Sequence, residues 1–180
     1  MSDLRCRSFD PRDASAVQRV DELALAETET DPDDIPGSGD LADVAGSYLD
    51  RGGEFLVGVL PEPLDVEDST DITTHDGSIV AIGGYLPSEA GYEDERTVPG
   101  AAELHRMRVH PAAQGRGYGR DLLAALESKI AAAGFDPILA TTARRQQTAI
   151  AFYPSAGYEQ VGESTMGEYK LVHFEKRVDV

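Results

Sequence analysis

The sequence is short of cysteine, lysine and long apolar runs, and each shortage closes off a class of protein. One cysteine among 180 residues, Cys6, cannot form an internal disulfide. It reads as a small hydrophobe rather than a reactive thiol, and a reducing compartment, the cytoplasm, is expected. No apolar stretch approaches the length needed to span a bilayer, and Met1-Ser2-Asp3-Leu4-Arg5 runs into alternating polar residues, unlike a secretory leader. No membrane partner is therefore expected. The four histidines, His75, His105, His110 and His173, show no metal-ligand spacing, which predicts no metal. Internal repeats and low-complexity tracts are missing too. At this length the chain suffices for one domain, 1–180, with a sizeable core.

Positive charge is the other shortage. Against 33 Asp and Glu stand 16 Lys and Arg, a net charge of −17. That excludes nucleic acid as a partner, because binding to a phosphate backbone is driven by Lys and Arg. Residues 1–100 carry 24 acidic and 6 basic side chains, whereas residues 101–180 carry 9 and 10, so only the second half suits a polyanion. Lysine is confined to Lys129, Lys170 and Lys176, while Asp and Arg are plentiful. This composition resembles that of proteins from halophilic archaea, in which an acid excess is a solvated, salt-adapted surface. A surface that attracts a cationic amine is the second reading, and both stay open.

Periodicity supplies the elements. Leu4 to Phe9 alternates as a strand; Asp10 and Pro11 open a helix, with Val17, Val20 and Ala24 on one face, that ends near Thr30. Asp40 is placed to cap a second helix running to about Asp50, stopped by Gly52-Gly53. Glu54–Leu60 and Ser78–Leu86 read as buried strands joined by a polar excursion without an element of its own, and Ala102–Val109 as a strand that Pro111 ends. A helix from about Gly117 to Ala133, a strand over Pro137–Thr142, a helix from Gln146 to about Tyr153, and a closing pair of strands turned at Met166-Gly167 complete the order. The fold class is α/β: a mixed sheet with helices on both faces.

Between the fourth strand and the helix after it lies Gln114-Gly115-Arg116-Gly117-Tyr118-Gly119-Arg120. Three alternate glycines remove Cβ atoms at a helix start, so amide N–H groups can converge on an anion. Two phosphate motifs fail on spacing. A dinucleotide fingerprint needs glycine where Arg120 stands, and a P-loop needs Gly-Lys-Ser/Thr. What remains, Gln/Arg-x-x-Gly-x-Gly/Ala, resembles the coenzyme A pyrophosphate loop of the GNAT superfamily of acyl-CoA-dependent N-acyltransferases. Glu103-Leu104-His105-Arg106-Met107-Arg108-Val109 before it looks like that family's fourth strand. Ala149-Ile150-Ala151-Phe152-Tyr153-Pro154-Ser155-Ala156-Gly157-Tyr158 after it is similar to the signature A-x-x-F/L-Y-x-x-x-G-F/Y. The order of elements agrees from Leu4 to Lys176.

The resemblance implies a mainly antiparallel sheet of about seven strands, splayed between the fourth and fifth, with acetyl-CoA (acyl-CoA) as co-substrate. The pantetheine arm would lie along Met107, Arg108 and Val109, and the pyrophosphate on the amides of Gln114, Gly115, Arg116, Gly117, Tyr118 and Gly119. Arg116 and Arg120 add charge, and Gln146 adds a polar contact to the cofactor or the helix start. Tyr153 matches the family's general acid for the leaving thiolate, with Pro154 beside it as a departure. Glu103, on one strand face with His105, Met107 and Val109, matches a glutamate that deprotonates the amine directly or through water; His105, or water with no dedicated base, is the alternative. The implied function is acetyl transfer from coenzyme A to a small-molecule amine or a peptide or protein amine by direct attack in a ternary complex. The rival is a non-catalytic acyl-CoA-binding or regulatory domain. A homodimer is announced by no single stretch and stays open.

Overall fold

Three apolar runs form the middle of the sheet. Glu54–Leu60 (β2) and Gly77–Pro87 (β4) are buried along nearly their whole length, as strands covered on both faces are. Ala102–Val109 (β5) lies beside β4. Around them stand Arg5–Ser8 (β1), the two-residue Thr73–Thr74 (β3), Ile138–Ala143 (β6), Glu159–Met166 (β7) and Tyr169–Lys176 (β8). The eight strands follow the order β1-β2-β4-β5-β6-β8-β7, with β3 against β4, and every pairing is antiparallel except β5 with β6. This computed structural model describes residues 2–178.

Helices cover both faces. Ala14–Ala26 (α1) and Val44–Ser47 (α2) bring Val17, Val20, Val44 and the neighbouring Tyr48 against Phe55, Val57 and Ile82. On the other face Tyr118–Ala132 (α3) and Gln147–Ser155 (α4) pack Leu122, Leu126 and Ile130 with Leu104, Ile138 and Phe174. Among the described residues no helix is long and apolar enough to cross a membrane.

Three local expectations change. α1 stops at Ala26, where the Thr28 hydroxyl takes the Leu25 carbonyl at 2.8 Å, four residues short of Thr30. The segment 40–51 is two short 3₁₀ turns around the four residues of α2, and Asp40 caps none of them. Gly39 precedes the first turn in a left-handed conformation, Asp43 caps Gly46, and the Asp40 carboxyl turns inward. The excursion 61–77 contains β3 and anchors itself: Leu64 and Ile72 are buried, and the Thr74 hydroxyl donates to Asp13, which also pairs with Arg7.

Two features of β5 set the site. It pairs with β6 only at Ala102–Ile138 and Glu103–Leu139; beyond these β5 follows β4 and β6 follows β8, and a wedge opens between them. This is the expected splay. In addition, Gly84 stands opposite His105 and Ile82 opposite Arg108, so β5 holds one residue too many. The excess is absorbed at Arg106, whose φ of 54° is rare for a residue with a side chain. A bulge puts consecutive side chains on one face. His105 meets Tyr92 and Tyr48 and Arg106 meets Asp40, all on the α1/α2 side, while Met107 crosses to Leu122 and Leu126 beside Gly83. The expectation that Glu103, His105, Met107 and Val109 share a face is therefore corrected: alternation holds only up to the bulge.

Candidate active site

At the far end of β5 the chain passes through the 3₁₀ turn Pro111–Ala113 into the glycine loop. Gly115 and Gly117 adopt φ values of 75° and 87°, a region that glycine enters without cost, and nothing lies within 4 Å of where their Cβ atoms would be. Gly117 caps α3 without a side chain. Among the described residues the amides of Gly115, Arg116, Gly117, Tyr118 and Gly119 donate to no backbone carbonyl, whereas Arg120 and Asp121 both donate to Gly117. Five successive free N–H groups at a helix start, on an exposed loop, make a cradle that fits a pyrophosphate. Gln114 holds the loop to β5, its Nε2 donating to the Val109 carbonyl at 3.2 Å. Arg116 reaches the Ala112 carbonyl, and Arg120 is tied to Ser155 at the end of α4.

Along the wedge lies a cavity of about 120 Å³, walled by Leu104, His105, Arg106 and Arg108 of β5, Thr141 to Ala143 of β6, and the segment after α1. A larger outer cavity of about 540 Å³ shares Pro36, Tyr92, Asp94, Met166 and Leu171 with it. His105 is the best-defined side chain in the inner wall. Its ring stacks on Tyr92 with centroids 5.1 Å apart, and Nε2 donates to Glu95, whose other oxygen accepts the Tyr92 amide at 2.9 Å. That fixes the ring and leaves Nδ1 buried and without a partner.

The arginines are held differently. Arg106 Nε lies 3.0 Å from Asp40, which also accepts from the Tyr48 hydroxyl, so its charge is spent inside the fold. Arg108 sits 3.4 Å from Asp21 without a hydrogen bond and donates to the Met107 carbonyl at 3.2 Å. Burial pulls its guanidinium below the ordinary value and pushes the Asp21 carboxyl up. Gln146 does not cap α4. It accepts from Thr142 at 3.1 Å and donates to Thr30 at 3.0 Å, closing one end of the cavity.

Glu103 lies elsewhere than a direct base would. It is 1% exposed, absent from the cavity wall, and neither oxygen has a hydrogen-bond partner. Burial, then the charge of Glu95, pushes its carboxyl well above the ordinary range, which favours the neutral acid. Tyr153 occupies the last turn of α4, which runs on through Pro154 to Ser155. Its ring packs against Phe152, Tyr158 and Phe174, and its hydroxyl makes no hydrogen bond among the described residues. Burial raises the phenol above its ordinary value, with the Arg108 guanidinium opposing.

The cavity wall thus brings together His105, Arg108 and Gln146, with the glycine loop following the end of β5, whereas the side chains of Met107, Val109 and Tyr153 pack in the apolar cluster with α3 and are not part of the wall. Glu95, Tyr92 and Asp21 escaped the sequence reading, and Asp40 entered it only as a helix cap. The first three lie in a polar loop and in a helix, where an acidic or aromatic residue carries no pattern of its own.

Comparison with known proteins agrees with this geometry. N-acetyltransferase 8 of Rattus norvegicus is 28% identical over 142 residues, 75% of this chain and 55% of that protein. The IAA acetyltransferase of Azospirillum brasilense is 33% identical over 92 residues, 51% of this chain and 54% of that one. The chain spans about half the length of these curated relatives. Among solved structures, a Staphylococcus aureus protein of the GNAT family superposes with a TM-score of 0.71 at 15% identity, covering 98% of this chain and 99% of the other. A Salmonella typhimurium protein assigned as an acetyltransferase and solved with acetyl-CoA gives 0.68 at 20% identity, covering 99% and 95%. These likenesses establish the fold. The model of the acetyltransferase (GNAT) domain matches residues 70–160, half of the chain, and the chain therefore belongs to the GNAT family.

Proposed function

We propose that residues 1–180 form one N-acyltransferase domain that moves an acetyl group from coenzyme A to an amine in a ternary complex. The observation that carries this reading is the wedge: β5 and β6 part beyond Glu103 and Leu139, an anion cradle of free amides follows the end of β5, and a histidine with an unpartnered ring nitrogen stands in the cavity wall. Family membership and the acetyl-CoA bound by the Salmonella relative support the donor.

The amides from Gly115 to Gly119 hold the pyrophosphate, each charge-assisted hydrogen bond contributing roughly 1.5 to 3 kcal/mol. The edges of Met107 to Val109 that face the wedge take the pantetheine arm, with Arg108 and Gln146 beside it. Arg116 and Arg120 supply positive charge around the loop. Acetyl-CoA supplies the activated acyl thioester. His105 Nδ1 takes the proton of the attacking amine while Glu95 holds the ring in register and stabilises the imidazolium. Tyr153 gives its proton to the departing sulfur. Glu103, protonated and behind the cavity wall, leaves direct proton abstraction to His105. Asp34, Asp94 and Glu95 in the wall favour an acceptor, small molecule or peptide, that arrives as a cation.

The test is titration with acetyl-CoA followed by thiol release against a panel of amines and peptides at high and low salt. Binding with amine-dependent release is expected. Binding without release would make the chain a non-catalytic acyl-CoA-binding domain, and no binding would remove the cradle.

A further inference from the structure

Most polar side chains in the inner cavity wall are spent on one another. Asp34 accepts from the Tyr169 hydroxyl, Gln146 bridges Thr142 and Thr30, and Arg106 is closed by Asp40 and by the Pro36 carbonyl at 3.3 Å. Among the described residues three buried side-chain atoms of that wall are left without a partner: Nε of Arg108, Nδ1 of His105 and Oδ1 of Asp94. A buried polar atom without a partner is costly, so these three mark the groups that a ligand in the cavity would satisfy.

Arg108 is the cation among them. Its one hydrogen bond among the described residues goes to the Met107 carbonyl, and Asp21 stands 3.4 Å from Nε without forming another, which leaves most of its N–H groups unspent. The two neighbouring arginines differ in their counter-charge: Asp40 holds Arg106 above its ordinary value, whereas Asp21 does not offset the burial of Arg108. His105 and Arg108 stand opposite Gly84 and Ile82 on β4, so the extra residue at Arg106 brings them to within two strand steps, about 7 Å. Asp94 adjoins Glu95, the partner of His105. One positively charged donor thus shares the wall with an open ring nitrogen and an open carboxyl oxygen, the complement of a carboxylate close to an ammonium.

We propose that the acceptor is a free α-amino acid, its carboxylate bound by the Arg108 guanidinium and its amino group between His105 Nδ1 and Asp94, which makes Arg108 the residue that determines acceptor specificity. This rests on the acyltransferase reading above. A carboxylate matches the guanidinium fork; the first amide of a peptide, a carboxamide or a simple amine leaves the buried charge unpaired. The outer cavity, continuous with the inner one at Tyr92, Asp94, Met166 and Leu171, gives the amino-acid side chain room. The ammonium loses one proton to His105 Nδ1 and becomes a nucleophile. Its nitrogen then bonds to the acyl carbon as the carbon–sulfur bond breaks, and loses a second proton as the sulfur gains one. An N-acetyl amino acid, the thiol of coenzyme A and one proton on His105 result.

Initial rates of thiol release with acetyl-CoA test this on the wild type, with each common amino acid, its carboxamide, and a set of carboxyl-free amines and short peptides as acceptors. The best amino acid is expected to exceed its carboxamide in kcat/KM by about tenfold or more. Arg108→Gln is expected to raise KM for that amino acid by about tenfold or more, and to leave KM for the carboxamide and the calorimetric Kd for acetyl-CoA within about twofold. Arg108→Gln combined with Asp21→Asn leaves no buried carboxylate unpaired and serves where the single variant fails to fold; the wild-type comparison needs no variant. Equal turnover of acids and amides, release only with amines or peptides, an equal rise in both KM values, or weaker acetyl-CoA binding overturns the assignment. Absence of thiol release with every acceptor removes the acyltransferase reading instead.

Discussion

Replacing Glu103 by glutamine should change how stability depends on pH. Glu103 is 1% exposed, has no hydrogen-bond partner, and lies next to Glu95, so its carboxyl holds a proton in the folded chain well above the ordinary carboxyl range. In the unfolded chain the same group loses its proton near its ordinary value. Between those two values the folded state binds one proton more than the unfolded state, so the slope of unfolding free energy against pH is negative. The wild type therefore loses about 1.4 kcal/mol per pH unit through this group as pH rises inside that window. Glutamine has no proton to lose. Its buried amide shifts the stability of Glu103→Gln by a constant of about 1 to 3 kcal/mol, but the slope from position 103 disappears. Urea unfolding followed by circular dichroism at pH 5, 5.5, 6 and 6.5, at fixed ionic strength, reads the difference between the two proteins, in which the other titrating groups largely cancel. The variant gains on the wild type as pH rises through this range, by up to about 1.4 kcal/mol for each unit. Parallel curves would show that Glu103 titrates alike in both states and would end the account of it as a buried neutral acid.

Three further outcomes follow from the site. Gly117→Ala adds a Cβ where φ is 87° and nothing lies within 4 Å, so the fold tolerates it while the left-handed loop costs about 1 to 2 kcal/mol to regain. Calorimetry should find acetyl-CoA bound about 5- to 30-fold more weakly, and unchanged affinity would detach the loop from the phosphates. Tyr153→Phe should lower kcat by about a hundredfold or more with acetyl-CoA affinity unchanged, since only the proton donor is lost; equal turnover would make Tyr153 a packing residue. Asp40→Asn leaves the buried Arg106 guanidinium without its counter-charge and should destabilise by about 3 to 5 kcal/mol in urea unfolding, a loss below about 1 kcal/mol refuting the buried pair.

The strands were legible where burial leaves a continuous apolar run: β2 spans Glu54–Leu60 as read, and β4 differs by one residue at each end. The segment 40–51 was not, because Asp40 at a helix start looks like a cap, and only the fold brings Arg106 and Tyr48 to its carboxyl. Glu103 and His105 were singled out together. Their difference came from neighbours more than a strand away in sequence: Glu95 holds His105 and repels the charge on Glu103.

By itself the sequence determined the family resemblance, the order of elements and the anion cradle. Those depend on local quantities: apolar periodicity, breakers, and glycines that permit φ above zero at Gly115 and Gly117. Only the tertiary structure decided which face each β5 side chain takes, because one extra residue at Arg106 reverses the alternation that a sequence pattern assumes. It likewise decided which acid stays protonated and which histidine nitrogen is free, since burial and hydrogen-bond partners are set by residues far apart in the chain.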